Sequence, residues 1–199
     1  MFQISPSVTR FALFPTLVYM IDAPDLLERV RDVFDTVEWK DLDSPGTPSK
    51  SFTVLKEHEG LTARFTDKVN NALQELNYQS RAKLTTSWFF KLKPGAEHKK
   101  HYHTNSWWSA SFYFEEGERE CFNIVTPAPQ INVVSYPDSP WLVQHGRAPF
   151  HAKCGTIILF PSYVNHYVNA NNFSIDRHVL AMNFMPDGDT GFQDSHFTY

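Results

Sequence analysis

From residue 82 onward the hydrophobic pattern of this chain runs with a period of two, and nothing else in the sequence limits its fold as much. Ala82, Leu84, Thr86, Trp88, Phe90 and Leu92 alternate with Lys83, Thr85, Ser87, Phe89 and Lys91. Successive side chains of an extended backbone point to opposite faces, so this spacing predicts a strand with one buried face. Short strands are expected to follow at 98–103, 108–114, 120–125, 131–135, 141–145, 148–152, 156–160, 164–169 and 176–185. Turn signals separate many of them: Pro94-Gly95, Glu116-Gly117, Pro137-Asp138, His145-Gly146 and Asn171-Asn172. Many short strands at this spacing imply a sandwich, jelly roll or barrel.

The first third of the chain reads differently. Phe11 to Ile21 suggests a strand; it is too short to span a bilayer, and Pro15 interrupts it. Pro24 then signals a helix start. Leu26, Leu27, Val30, Val33, Phe34 and Val37 recur with helical spacing, which predicts a helix over 24–39. A second helix is expected over 60–77, from Leu61, Phe65, Val69, Leu73 and Leu76. Each helix has a single apolar stripe, so each should lie on the outside of a sheet. Asp43 to Ser51, with Pro45, Gly46 and Pro48, reads as a loop.

The 199 residues suit one domain, 1–199. Residues 1–80 would supply a strand and two supporting helices, 81–185 the β core, and 186–199 a polar tail that could lie over the site mouth. Seventeen Phe, eight Tyr and five Trp provide bulk for a large core. A net charge of −4 argues against a nucleic-acid partner. Cys121 and Cys154 form no CxxC pair and read as two buried thiols in a reducing compartment. No basic segment followed by an apolar run opens the chain, so a cytoplasmic protein with no membrane partner is expected. Exposed aromatic strands leave room for a homodimer.

His101-Tyr102-His103 carries the chemistry. On an extended backbone the two imidazoles share a face and form a pair of candidate metal ligands. His166, after the buried run Gly155 to Pro161, is a third candidate, and Arg177 follows eleven residues later. The other histidines, 58, 98, 145, 151, 178 and 196, read as satisfied or exposed residues.

The spacing resembles that of the cupin barrels: Gly95, five residues, then His101-Tyr102-His103; later Gly155, five residues, Pro161, and His166 five further on. The cupin glutamate falls near Trp107 or Trp108, and the Gly expected two residues after Pro161 is Tyr163. The chain more closely resembles the iron(II)- and 2-oxoglutarate-dependent oxygenases, in particular a small subgroup with a His-x-His-x-Asn-Ser signature. Here that signature is His101-Tyr-His103-Thr-Asn105-Ser106, followed by the strand Ser111-Phe-Tyr-Phe114; Leu159-Phe-Pro-Ser162, His166, Arg177 and Asn183-Phe184 match the later half. The match covers roughly residues 85–185.

The resemblance implies a mainly β fold with flanking helices, a double-stranded β-helix or cupin-like jelly-roll barrel. It implies Fe(II) held by His101, His103 and His166, with 2-oxoglutarate and O2 as cosubstrates and no catalytic side chain beyond the metal ligands. His103 stands where most of the superfamily has a carboxylate: either it is the third ligand, or the iron has only His101 and His166 and water fills the gap. Arg177 would take the far carboxylate of 2-oxoglutarate bidentately. Asn183, Trp88 and Tyr113 would complete that pocket, and Trp88, Phe90, Tyr113 and Phe160 would exclude water. Asn105, Trp107 and Trp141 are substrate-pocket candidates, and Tyr136, Trp141 and Arg147 lie in a loop, 136–147, that could border it. The expected activity is a dioxygenase, a hydroxylase acting on a small molecule or a peptidyl side chain. Two other readings stay open: a three-His zinc enzyme with an activated water, and a non-catalytic ligand-binding barrel.

Overall fold

The computed structural model describes residues 2–5, 8–10, 15–78, 80–115, 119–127 and 146–199. The expected strands at 131–135 and 141–145, the turns at Glu116-Gly117 and Pro137-Asp138, and residues 11–14 of the expected first strand lie outside them.

Strands β1 (Phe2–Ser5) and β2 (Val8–Arg10) pair as an antiparallel hairpin. Strand β3 covers Tyr19–Asp22. A 3₁₀ turn at Pro24–Leu26 then leads into α1 (Leu27–Phe34). The helix is shorter than its apolar pattern suggests. Thr36 Oγ1 donates to the Val33 carbonyl at 2.8 Å, and the Val37 N–H donates to Phe34. These tighter bonds end the helix, and Trp39 then bridges to Ser49. Helix α2 (Glu59–Leu73) continues as a 3₁₀ turn and stops at Asn77, whose left-handed φ of 49° caps it.

The segment read as a loop over 43–51 contains a strand, β4 (Gly46–Pro48), on the edge of a sheet. Proline is tolerated there because an edge strand has one side with no partner to donate to. Gly46 is required by contact: a Cβ on it would lie 2.7 Å from the Phe90 ring.

The core strands are β5 (Arg81–Leu92), β6 (His98–His101), β7 (Trp108–Tyr113), β8 (Arg119–Val125), β9 (Arg147–Ala152), β10 (Thr156–Pro161), β11 (His166–Val168) and β12 (Arg177–Asp187). They form two antiparallel sheets, β3-β10-β7-β12-β5-β4 and β6-β11-β8-β9. The first core strand pairs with the last and the second with the next to last, while the third and fourth take the sixth and fifth. This is the double-stranded β-helix, a jelly roll in which a folded-over hairpin winds between two sheets. The tail forms a small hairpin of β13 (Asp189–Thr190) and β14 (Phe197–Thr198). Ser80 Oγ donates to the Asp189 carbonyl and ties the hairpin down.

Both helices pack on the outer face of the larger sheet, as their single stripes require. Val30, Val33, Leu61, Phe65, Val69 and Leu73 meet Phe89, Phe112, Leu159, Leu180, Met182 and Phe184. The inner face carries Tyr113, Ile158, Phe160 and Val179, which meet Phe122 and Ile124 from the smaller sheet.

Strand β5 departs from the single stripe expected of it. Asn183 pairs with Thr86, but the next residue, Phe184, pairs with Leu84. Thr85 is therefore an extra residue, a bulge, and it shifts the phase of the pleat. Ala82 and Leu84 face the helices; beyond the bulge Ser87 and Phe89 take that face, and Trp88, Phe90 and Leu92 turn inward. Among the described residues no helix is long and apolar enough to cross a membrane.

Candidate metal centre and its cavity

The barrel encloses a cavity of about 60 Å³. Its floor is the inner face of β5 and β12: Trp88 opposite Ala181, Phe90 opposite Val179, and Leu92 opposite Arg177. Tyr113, Phe160 and Phe122 close other sides. All four aromatic residues expected as a water-excluding lining, Trp88, Phe90, Tyr113 and Phe160, stand on its wall.

His101, His103 and His166 meet at one end. Their ligand atoms all lie within 4.8 Å of one another. The His103 and His166 rings stack at 5.1 Å with an interplanar angle of 8°, and their Nε2 atoms are 3.3 Å apart. His166 sits opposite His101 in the β11–β6 ladder, which brings residues far apart in sequence together.

The ring orientations are fixed from behind. His101 Nδ1 lies 2.7 Å from the Lys99 carbonyl, and His166 Nδ1 lies 3.1 Å from the Val164 carbonyl. A carbonyl only accepts, so both Nδ1 atoms carry the proton and each Nε2 presents a lone pair to the cavity. The His103 N–H donates to the Ser162 carbonyl at 3.0 Å. Burial, reinforced by His101, pushes His103 down to about 4 and His166 down to about 3. His103 and His166 are thus neutral imidazoles near pH 7, the form that ligates metal. Two nitrogens about 2.1 Å from one ion and at right angles stand about 3 Å apart. The 3.3 Å pair suits two ligands of one ion, and with His101 the group could hold a metal ion.

Arg177 occupies the other end of the same cavity. It is 6% exposed, and its Nη2 donates to the Asn169 carbonyl at 2.8 Å. Asn169 is itself held by Asn123 Nδ2 at 3.0 Å.

The remaining candidates are placed as follows. Trp88 lies beside His103, with ring centroids 5.8 Å apart. Tyr113 is on the cavity wall. Asn183 is not: its Nδ2 donates to Thr86 at 3.0 Å, and its Oδ1 accepts from Ser109 at 2.8 Å. Ser109 bonds Ser162, which bonds Ser106, at 2.8 and 2.7 Å. This hydroxyl chain braces the loop whose Ser162 carbonyl holds His103. Asn105 is an exposed turn residue with φ 51°. Trp107 packs on Tyr78 at 4.7 Å, outside the cavity. Arg147 reaches Tyr167 at 2.9 Å, while Tyr136 and Trp141 lie outside the described residues. The tail contributes nothing to the cavity lining. Cys154 is half-buried rather than buried, with the Arg31 guanidinium 3.9 Å from its sulfur; the side chain of Cys121 is outside the described set.

Sequence reasoning missed His98. It lines the cavity, stacked on Phe90 at 4.4 Å and 13°. On a regular strand, residues 98 and 101 point to opposite faces. Here His166 pairs with His101 and Val168 with His98, so three steps of β6 oppose two of β11. The irregularity turns both rings inward and leaves Lys99 and Lys100 exposed. The only sequence signal is a third histidine close upstream of the pair. His178, read as satisfied or exposed, has a partner: Glu115 Oε1 lies 2.7 Å from its Nδ1.

Residues 86–183 match a family model described as "Putative 2OG-Fe(II) oxygenase". No curated protein sequence matches the chain. Among solved structures, an oxidoreductase of the 2OG-Fe(II) oxygenase family from Burkholderia pseudomallei superposes with a TM-score of 0.62 at 11% identity, covering 84% of this chain and 83% of that one. HygX from Streptomyces hygroscopicus, with nickel and 2-oxoglutarate bound, gives a TM-score of 0.59 at 13% identity, covering 89% and 86%. A Pseudomonas putida prolyl-4-hydroxylase gives 0.54 at 14%, covering 87% and 94%. At these identities the likeness is one of fold.

Proposed function

We propose that this chain, a member of the 2OG-Fe(II) oxygenase family, is a working iron(II)- and 2-oxoglutarate-dependent oxygenase with a three-histidine metal site. The carrying observation is that three clustered imidazoles and one buried guanidinium line one aromatic cavity. His101, His103 and His166 would hold the metal and leave other positions open. Arg177 would take the far carboxylate of 2-oxoglutarate, with Trp88 and Tyr113 on the walls between. Asn183 would act from further off, through the hydroxyl chain that braces His103.

Iron(II), 2-oxoglutarate and O2 together supply oxidative decarboxylation to succinate and CO2, coupled to oxidation of a second substrate. The chain's own residues bind, orient and keep dry. The fixed Nδ1 protons hold the ligand nitrogens inward, and the aromatic wall excludes water. We take hydroxylation of a small molecule or peptidyl side chain as the outcome. The buried Arg177 on the cavity wall favours the oxygenase reading over a zinc hydrolase or a passive binding barrel.

The test is an anaerobic titration of metal-free protein with iron(II) and 2-oxoglutarate, following the visible charge-transfer band. A band that weakens in Arg177→Ala and disappears in His166→Ala is expected. Tight zinc binding with no band in the wild type would overturn the reading.

A further inference from the structure

His98 has no role in the function proposed above, yet the fold goes to some length to place it. The irregular pairing of β6 with β11 is what turns it inward. Phe90 then fixes the plane of its ring by face-to-face contact. His98 also lines the cavity, with its ring centroid 4.3 Å from that of His101. His101, His166 and Arg177 are each tied back to a backbone carbonyl. Among the described residues no hydrogen bond ties the ring of His98. His98 is half-buried and lines the cavity, so its ring can meet a polar group that enters there.

The floor of the cavity shows where that ligand group lies. Along the inner face of β5, Trp88 is beside His103, Phe90 carries His98, and Leu92 pairs with Arg177. His98 therefore stands between the metal end and the guanidinium, one inward-facing step from Arg177. A 2-oxo acid spanning those two ends passes its edge.

We infer that His98 is a cosubstrate contact: its ring N–H donates to the carboxylate of the 2-oxo acid that Arg177 holds. The pair would then read a dicarboxylate by two donors of different geometry, a fork and a single N–H. This inference rests on the oxygenase reading.

The test compares wild type with His98→Leu, which removes the donor, and His98→Gln, which keeps an N–H. Nickel(II) alone is titrated first by calorimetry. Anaerobic iron(II) protein is then titrated with 2-oxoglutarate and with 2-oxobutyrate, which lacks the far carboxylate. The expected result is unchanged nickel binding and about tenfold weaker 2-oxoglutarate binding in His98→Leu, roughly 1.4 kcal/mol. His98→Gln falls between, and 2-oxobutyrate binds all three proteins alike. Wild-type affinity for 2-oxoglutarate in His98→Leu would overturn the inference and leave the ring as packing. Loss of nickel binding would make His98 a metal ligand instead. Equal weakening for both acids would move the contact away from the far carboxylate. Absence of any band in the wild type would defeat the oxygenase reading itself, a result distinct from a band that ignores residue 98.

Discussion

The two faces of the larger sheet are built from the same strands and differ in every other respect. The outer face offers Phe89, Phe112, Leu159, Leu180, Met182 and Phe184 to the helices, all buried and apolar. The inner face offers Trp88, Phe90, Ser111, Tyr113, Phe160 and Arg177 to a cavity. Neighbours in sequence thus serve different ends: Met182 is core and Ala181 is cavity wall. A pleated strand separates stability from binding with one residue's spacing.

That contrast can be broken at four points, in descending order of effect. His166→Ala removes a ligand, and metal-dependent turnover should fall more than 100-fold, beyond what loss of a supporting group typically costs; the melting temperature of the metal-free protein should change little by comparison. On the outer face, Phe112→Ala should cost about 3–5 kcal/mol in urea unfolding, with the 2-oxoglutarate affinity of the folded fraction intact. Equal damage to binding would show that the faces are coupled. Ala181→Leu fills cavity space, so the charge-transfer band should be lost while unfolding shifts less than in Phe112→Ala. Its neighbour Met182→Leu conserves volume and should move stability by less than about 1.5 kcal/mol and binding not at all.

The cavity face should also respond to pH. Burial holds His103 near 4 and His166 near 3, below the ordinary 6.5. In the metal-free protein the unfolded chain therefore binds more protons than the folded one once pH drops below about 6.5. Stability from these residues is fully present above that value and is lost as pH falls toward 4 and 3. Urea unfolding of metal-free protein between pH 7 and 4 should show that decline, and His166→Phe should flatten part of it. A pH-independent midpoint would mean that the imidazoles are solvated.

Much of this was legible in the residues. Alternation from residue 82 and the rhythm of turns narrowed the fold to a sandwich, jelly roll or barrel, and the family resemblance selected the jelly-roll barrel; helical spacing gave both helices and the face they cover. His101, His103 and His166 stood out by spacing, and the strand ladder brings them together. What stayed hidden depends on pairing. A strand of Gly, Thr and Pro preceded by a second proline reads as a loop until an edge is available to hold it, as at Gly46–Pro48. The inward turn of His98 and the phase shift at Thr85 follow from ladder irregularities that periodicity within one strand does not encode. Asn105 and Trp107 sat close to the histidine pair in sequence, but the chain turns at Asn105, and Trp107 leaves the barrel to pack on Tyr78.

The bulge at Thr85 makes the length of this strand part of its meaning. Drawing that single residue into the ladder, with no bulge, would leave the sequence untouched. It would set the residues beyond it one step out of phase with β12. With Leu84 kept on the helices, Trp88 and Phe90 would turn toward the helices too, and Phe89 would enter the cavity. One strand is read in two frames, and Thr85 is the punctuation between them.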